Sequence, residues 1–330
     1  EAGATTCFAE SSSLMTNASQ ATASILSKIG SSFVGSSMFA NLGLITKLVQ
    51  NIRYMRINVS QGLENAFQTW SSDVLSWEIP EKLSSQSESQ TLPDNFAKYD
   101  LDSRFLVNYW STLVSTLIGI CLFLGLKLLK SLLAKKLQTR KILSTLLQSL
   151  IMGCSNFALL QVYSSLDDIV FNAVLDLQFT KFSPLFSLFC SIIGVILLII
   201  GVCILLGHYW IVYRYTKLKK SDPNGLERFL QKFELLEVLH QDYKDTSFLR
   251  HSYFAFLVTR AMLAALVIVA FYQQPLAQAI MLVIMNCLML AYLIIKGPYK
   301  EVYDEITQYF YEFIVFTVHL CVLIMALADQ

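Results

Sequence analysis

Between Leu101 and Lys141 the chain reads LDSRFLVNYWSTLVSTLIGICLFLGLKLLKSLLAKKLQTRK, a long apolar run closed by Lys127, Lys130, Lys135, Lys136, Arg140 and Lys141 with no acid after Arg104. About 20 apolar residues in a helix rising about 1.5 Å per residue cross a hydrocarbon layer of about 30 Å. Loops on the cytoplasmic side of a membrane are enriched in Lys and Arg, so the basic cluster marks the inner end and the chain enters from outside near Phe105.

Further apolar runs fall at about 142–162, 184–212, 252–272, 276–295 and 309–328, which makes six spans with the first. The intervening segments alternate in charge as six spans require. SSLDDIVFNAVLDLQFTKF carries Asp167, Asp168 and Asp176 against Lys181 and is expected outside as a loop over 164–183. The segment 213–251 holds eight Lys or Arg and is expected inside, as are 132–141 and 296–305. YQQP joins the fourth and fifth spans as a turn, and both chain ends then lie outside. Composition agrees: 55% of residues are hydrophobic, 15% are charged and mean hydropathy is +0.52. A net charge of +1, spread over loops, excludes a clustered basic face for nucleic acid. The chain opens at Glu1 without an initiator Met or signal peptide and is read as a piece of something longer.

Residues 1–103 form an extracellular juxtamembrane region, followed by a transmembrane domain over 104–330. In SSMFANLGLITKLVQNIRYMRI, Met38, Leu42, Ile45, Val49 and Ile52 share one helical face while Thr46, Gln50 and Arg53 share another. That pattern predicts an amphipathic helix over 38–57, interfacial or re-entrant, with a spanning helix as the alternative. Leu63, Phe67 and Trp70 predict a second short helix in the outer region. Sequons at Asn17 and Asn58 are candidate glycosylation sites of a surface glycoprotein. On the inner side, SDPNGLERFLQKFELLEVLH offers Ser221 or Asp222 as a cap, Pro223 in the first turn and apolar residues at helical spacing. It predicts a linker helix over 222–241 that shields the inner face of the bundle.

No catalytic motif is present, and the four histidines are scattered over separate elements. Six cysteines lie in apolar runs as small hydrophobes, with Cys7 alone outside them, so neither a metal site, a redox centre nor a cofactor is expected. Charge inside the spans is the better signal, because Arg at mid-bilayer costs about 2.5 to 3.5 kcal/mol on insertion scales. Arg260 and Glu312 each lie about two turns from the inner end of a span and are expected to form a buried ion pair. His319 is expected to hydrogen-bond a neighbouring helix.

LPDNFAKYDLDSRFLVNYWSTL, the helix containing MFANLGLITKLVQ, and LIIKGPYKEVYDEITQYFYEFIVF resemble, in the same order, the polytopic C-terminal region of large cysteine-rich surface proteins of ciliates, which in turn resembles fungal TRP-like membrane proteins. The resemblance implies a plasma or ciliary membrane location, and either a membrane base for a large extracellular or fibrous assembly or a cation channel subunit. A solute transporter is a third class. The residues lean toward the base: YQQP leaves no room for a re-entrant pore loop, and the third span carries no regular Arg series. Expected partners are the bilayer, the extracellular region and, through oligomerisation, further copies or other membrane subunits.

Overall fold

The computed structural model describes residues 37–58, 62, 64, 65, 92–133, 141–180 and 185–329. Its fold is all-α, and six helices among the described residues are long and apolar enough to cross a membrane. The chain is an integral, multi-pass membrane protein. In order the elements are α1 (Ser37–Gln50), α2 (Asp94–Ala97), α3 (Phe105–Leu132), α4 (Lys141–Ser164), α5 (Leu166–Phe179), α6 (Leu185–Ser221), α7 (Pro223–Lys232), α8 (Phe248–His251), α9 (Tyr253–Ala270), α10 (Pro275–Lys296) and α11 (Val302–Ala328). A 3-10 turn over Asn51–Tyr54 extends α1, and another over Glu234–Leu239 follows α7. The helix at Leu63 to Trp70 falls on positions largely outside the described residues, as do Asn17 and Cys7.

The core is built around α9, whose window is 72% buried, against 6% for α3. A helix that is apolar on all sides must be enclosed, and α9 is made so by small residues: Ala255, Ala261, Ala264 and Ala265 are all buried and let α1 and α5 approach closely. Helix α10 packs along α11 on one side of α9, and α3 forms an antiparallel hairpin with α4 on the other. That hairpin has a satellite core of its own, Leu147 and Ile151 against Phe123, Leu126 and Leu133. Its outward faces carry exposed Leu and Ile such as Leu128 and Leu146, the surface a helix presents to lipid. Where α3 crosses α6, a Cβ added to Gly194 would lie 3.0 Å from Phe105 Cγ, so only a hydrogen lets Phe105 become fully buried.

Two expectations change. First, the acidic stretch is no loop over its described residues. Residues 166–179 form α5, which continues α4 after a break at Ser165 and packs against α9 and α6. Burial is possible because the acids find partners at long range. Asp176 accepts from the Phe105 amide at 2.8 Å and the Ser191 hydroxyl at 2.6 Å. Asp167 pairs with Lys47 at 3.1 Å, and Asp168 with the same ammonium. The loop reading counted charge without these partners.

Second, α1 does not lie on a surface. Asn41, Leu44, Ile45, Leu48 and Gln50 are buried, and the helix is flanked by α4, α9 and α11. Its polar side, which argued for an interface, faces protein: Lys47 is taken up by Asp167 and Asp168. The segment runs the length of the bundle parallel to α11. Near its start Asn41 bonds Tyr243 and Tyr299, the latter just before α11, and at its end Asn58 bonds Asp329, the residue after α11. Within the described residues the segment thus reaches from one end of the bundle to the other.

One end gathers the basic residues. There Lys244 donates to the Gly297 carbonyl at 3.0 Å, Arg250 Nε to the Lys296 carbonyl at 2.7 Å, and Lys219 pairs with Asp245 at 2.5 Å. Gly297 ends α10 with φ +49°, the left-handed conformation that terminates a helix cheaply only as glycine. The linker helix spans Pro223–Lys232, shorter than 222–241, and its N-cap is Asp222, which accepts from the Gly225 amide at 2.9 Å. The opposite end is closed by rings. Phe96 is fully buried with Tyr54, Phe171, Phe179 and Tyr272 at centroid distances of 6.0 to 6.2 Å.

Candidate functional site: a polar network in the helix core

A buried polar chain runs inward from the basic end. The Asn41 Nδ2 group of α1 donates to the Tyr243 hydroxyl at 3.0 Å and the Tyr299 hydroxyl at 2.7 Å. Tyr299 donates in turn to Gln308 Oε1 at 3.0 Å, and Gln308 Nε2 donates to Glu312 Oε1 at 3.0 Å. Arg260 of α9 meets Glu312 of α11 through both guanidinium ends: Nη2 donates to Oε1 at 2.9 Å and Nη1 to Oε2. Nη1 also lies 3.5 Å from Asn286 Oδ1 on α10. The chain thus joins α1, α9, α10, α11 and both basic-end connections.

Every group in it is enclosed. Relative exposure is 5% for Arg260 and 1% for Glu312, depths at which a lone charge is excluded and a paired one needs its remaining bonds filled. The Glu312 carboxylate has three donors. On the guanidinium side, Arg260 Nε and Asn286 Nδ2 have no partner among the described residues. The residues reach this place by helical spacing: Gln308, Glu312, Val315, His319, Val322 and Ala326 recur every three or four positions and form the buried seam of α11. Three tyrosine rings, Tyr243, Tyr253 and Tyr299, pack edge to face at 5.2 to 5.3 Å and seal the network from the basic end.

Arg260 and Glu312 are thus brought together. His319 is buried on the same seam, but its Nδ1–H donates to the Val315 carbonyl of its own helix at 2.8 Å, not to a neighbouring helix, and Nε2 has no described partner. Asn58 sits apart at the opposite end, exposed, with its amide nitrogen donating to Asp329 Oδ1 at 3.0 Å. Its backbone N–H also donates to Asp329, and these two bonds hold that carboxyl below its ordinary range.

Sequence reading missed Asn41, Tyr243, Asn286, Tyr299 and Gln308. The available signal was a polar side chain within an apolar run, as in MFANLGLI and VIMNCLML. For Tyr243 and Tyr299 there was none, since tyrosine in a loop between charged residues is unremarkable until the two loops pair through the Tyr243–Tyr299 bridge. Chemically, the network among the described residues supplies no nucleophile beside a base and no open ligand set; most of its groups bond one another, with Arg260 Nε and Asn286 Nδ2 left over. Among the described residues no group of three or more His, Cys, Asp or Glu side chains converges on a point. Comparison with protein-family models, curated proteins and solved structures found no match for the chain.

Proposed function

We propose that this chain is the membrane base of a larger extracellular protein or assembly, with the segment that follows α1 as its attachment. The observation that carries the reading is the complete burial of Phe96 at the end opposite the basic residues. Through it residues 92–104 are joined to α1, α5 and the α9–α10 turn at once. Two bonds reinforce the junction: Asn95 Nδ2 donates to the Tyr54 carbonyl at 2.6 Å, and Thr180 donates to the Ser103 carbonyl at 2.9 Å. A load on this segment is spread over three core elements and not borne by one helix.

Loop charge orients the module. The basic end faces the cytoplasm and the Phe96 end faces outside, on a plasma or ciliary membrane. The closed, mutually paired core supports holding over conducting, because a permeation path needs polar groups facing water and not each other. Two measurements test this. A photo-crosslinker at position 98 on intact cells should capture a large surface protein. Liposomes containing the purified chain should pass no more sodium or potassium than empty ones; protein-dependent cation flux would overturn the reading in favour of a channel subunit.

A further inference from the structure

At the basic end a cavity of about 340 Å³ opens between α6 and α7. Its walls are Val212 and Tyr215 of α6, Phe229 of α7 and Phe233 at the C-cap of α7, and its polar floor is His240 and His251. The volume suits a small-molecule site with apolar walls and few polar groups. His251 is 2% exposed, its ring packed edge-on to Tyr215 at 4.6 Å and tilted against His240 at 4.8 Å. Its Nδ1 has no partner among the described residues, and a buried polar atom left so costs about 1 to 3 kcal/mol.

Three observations say what belongs there. Trp210 and Tyr213, each 55% exposed on the outward face of α6 at the level of the cavity, are the amphipathic rings that sit at headgroup level. Helix α7 is short and amphipathic: Leu226, Phe229 and Phe233 lie toward the bundle, Arg228 and Lys232 are exposed, and such a helix lies in the plane of an interface. The Lys232 ammonium stands 5.7 Å from the ring of Phe233, a wall of the cavity, so positive charge borders it.

We infer that this cavity binds an anionic phospholipid from the leaflet at the basic end, its glycerol backbone on the histidine floor, its upper acyl chain along Val212 and Phe229, and its phosphate against Arg228 and Lys232. Apolar walls take the chain and the basic pair takes the charge. Each such Lys or Arg near a surface strengthens binding to anionic lipid by about fivefold. The site is independent of the anchoring reading, since it lies at the other end of the bundle.

The test uses the full purified chain in detergent, with thermal midpoint followed against added phosphatidylserine, phosphatidylcholine and soluble glycerophosphoserine. Phosphatidylserine should raise the midpoint saturably, while the other two should not. The double variant Arg228→Gln, Lys232→Gln should bind phosphatidylserine about tenfold or more weakly. Leu230→Trp, at a 42% exposed position lining the cavity, should block it while leaving the lipid-free midpoint unchanged. Equal effects of the two lipids would show a nonspecific annulus, and an equal effect of glycerophosphoserine would show a soluble phosphate site. Either result overturns the proposal, as does full phosphatidylserine stabilisation of both variants.

Discussion

Asn41 donates to the hydroxyl of Tyr299 over 2.7 Å although the two residues stand 258 positions apart in the chain. With Asn58 bonded to Asp329 at the far end, this fixes α1 as a segment running through the bundle alongside α11.

That arrangement sets a topology. With the basic end inside, cysteines placed at 37 and 300 should react with a membrane-impermeant reagent only after permeabilisation, and one placed at 58 should react on intact cells. Labelling of position 37 on intact cells would return α1 to an interfacial helix on the outer face.

Removing one member of the Arg260–Glu312 pair should hurt more than removing both. Arg260→Leu or Glu312→Leu alone leaves a buried charge unmatched, at a cost of about 3 to 5 kcal/mol, while the double replacement should be much nearer neutral. Thermal unfolding in detergent of the three variants measures this. Additive losses would mean that the two groups do not act as a pair.

Asn41→Leu keeps the branched shape of the side chain, at a larger volume, and deletes both its bonds to tyrosine hydroxyls. A loss of about 1 to 3 kcal/mol is expected from stranding those buried groups, with Leu44→Ala as the comparison for simple loss of packing. If Asn41→Leu stabilises the protein, the network is not a structural element.

Acid should weaken the basic end. Burial, assisted by the neighbouring His240, pushes His251 from 6.5 down to about 3, and burial also lowers His240. Below about pH 6.5 the unfolded chain takes up protons that the folded one refuses, so stability falls as pH drops from 6.5 toward 3. Asp245, lowered by its bond from Lys219, adds its own loss only below its ordinary value of 3.8. The thermal midpoint should therefore decline from pH 7.5 to pH 5 in the wild type, and His251→Asn should flatten that decline. An unchanged slope in the variant would assign it elsewhere.

The six spans were legible in sequence because crossing a bilayer is a local requirement: about 20 apolar residues in a row suffice, whatever their neighbours. The pairing of Arg260 with Glu312 was legible for a related reason. A charge in hydrocarbon must find its opposite, and these two stood at similar depth. Burial of Asp167 and Asp176 followed another rule. Each is a polar residue that, read alone, belongs in water, and each is enclosed because a partner arrives from another element: Lys47 from α1 for Asp167, Ser191 and the Phe105 amide for Asp176. Hydropathy assigns a cost to the residue, whereas burial depends on the pair. Only the tertiary structure brings positions 47 and 167 together, and with them it decides that α1 runs through the core and that the acidic stretch is a helix within it.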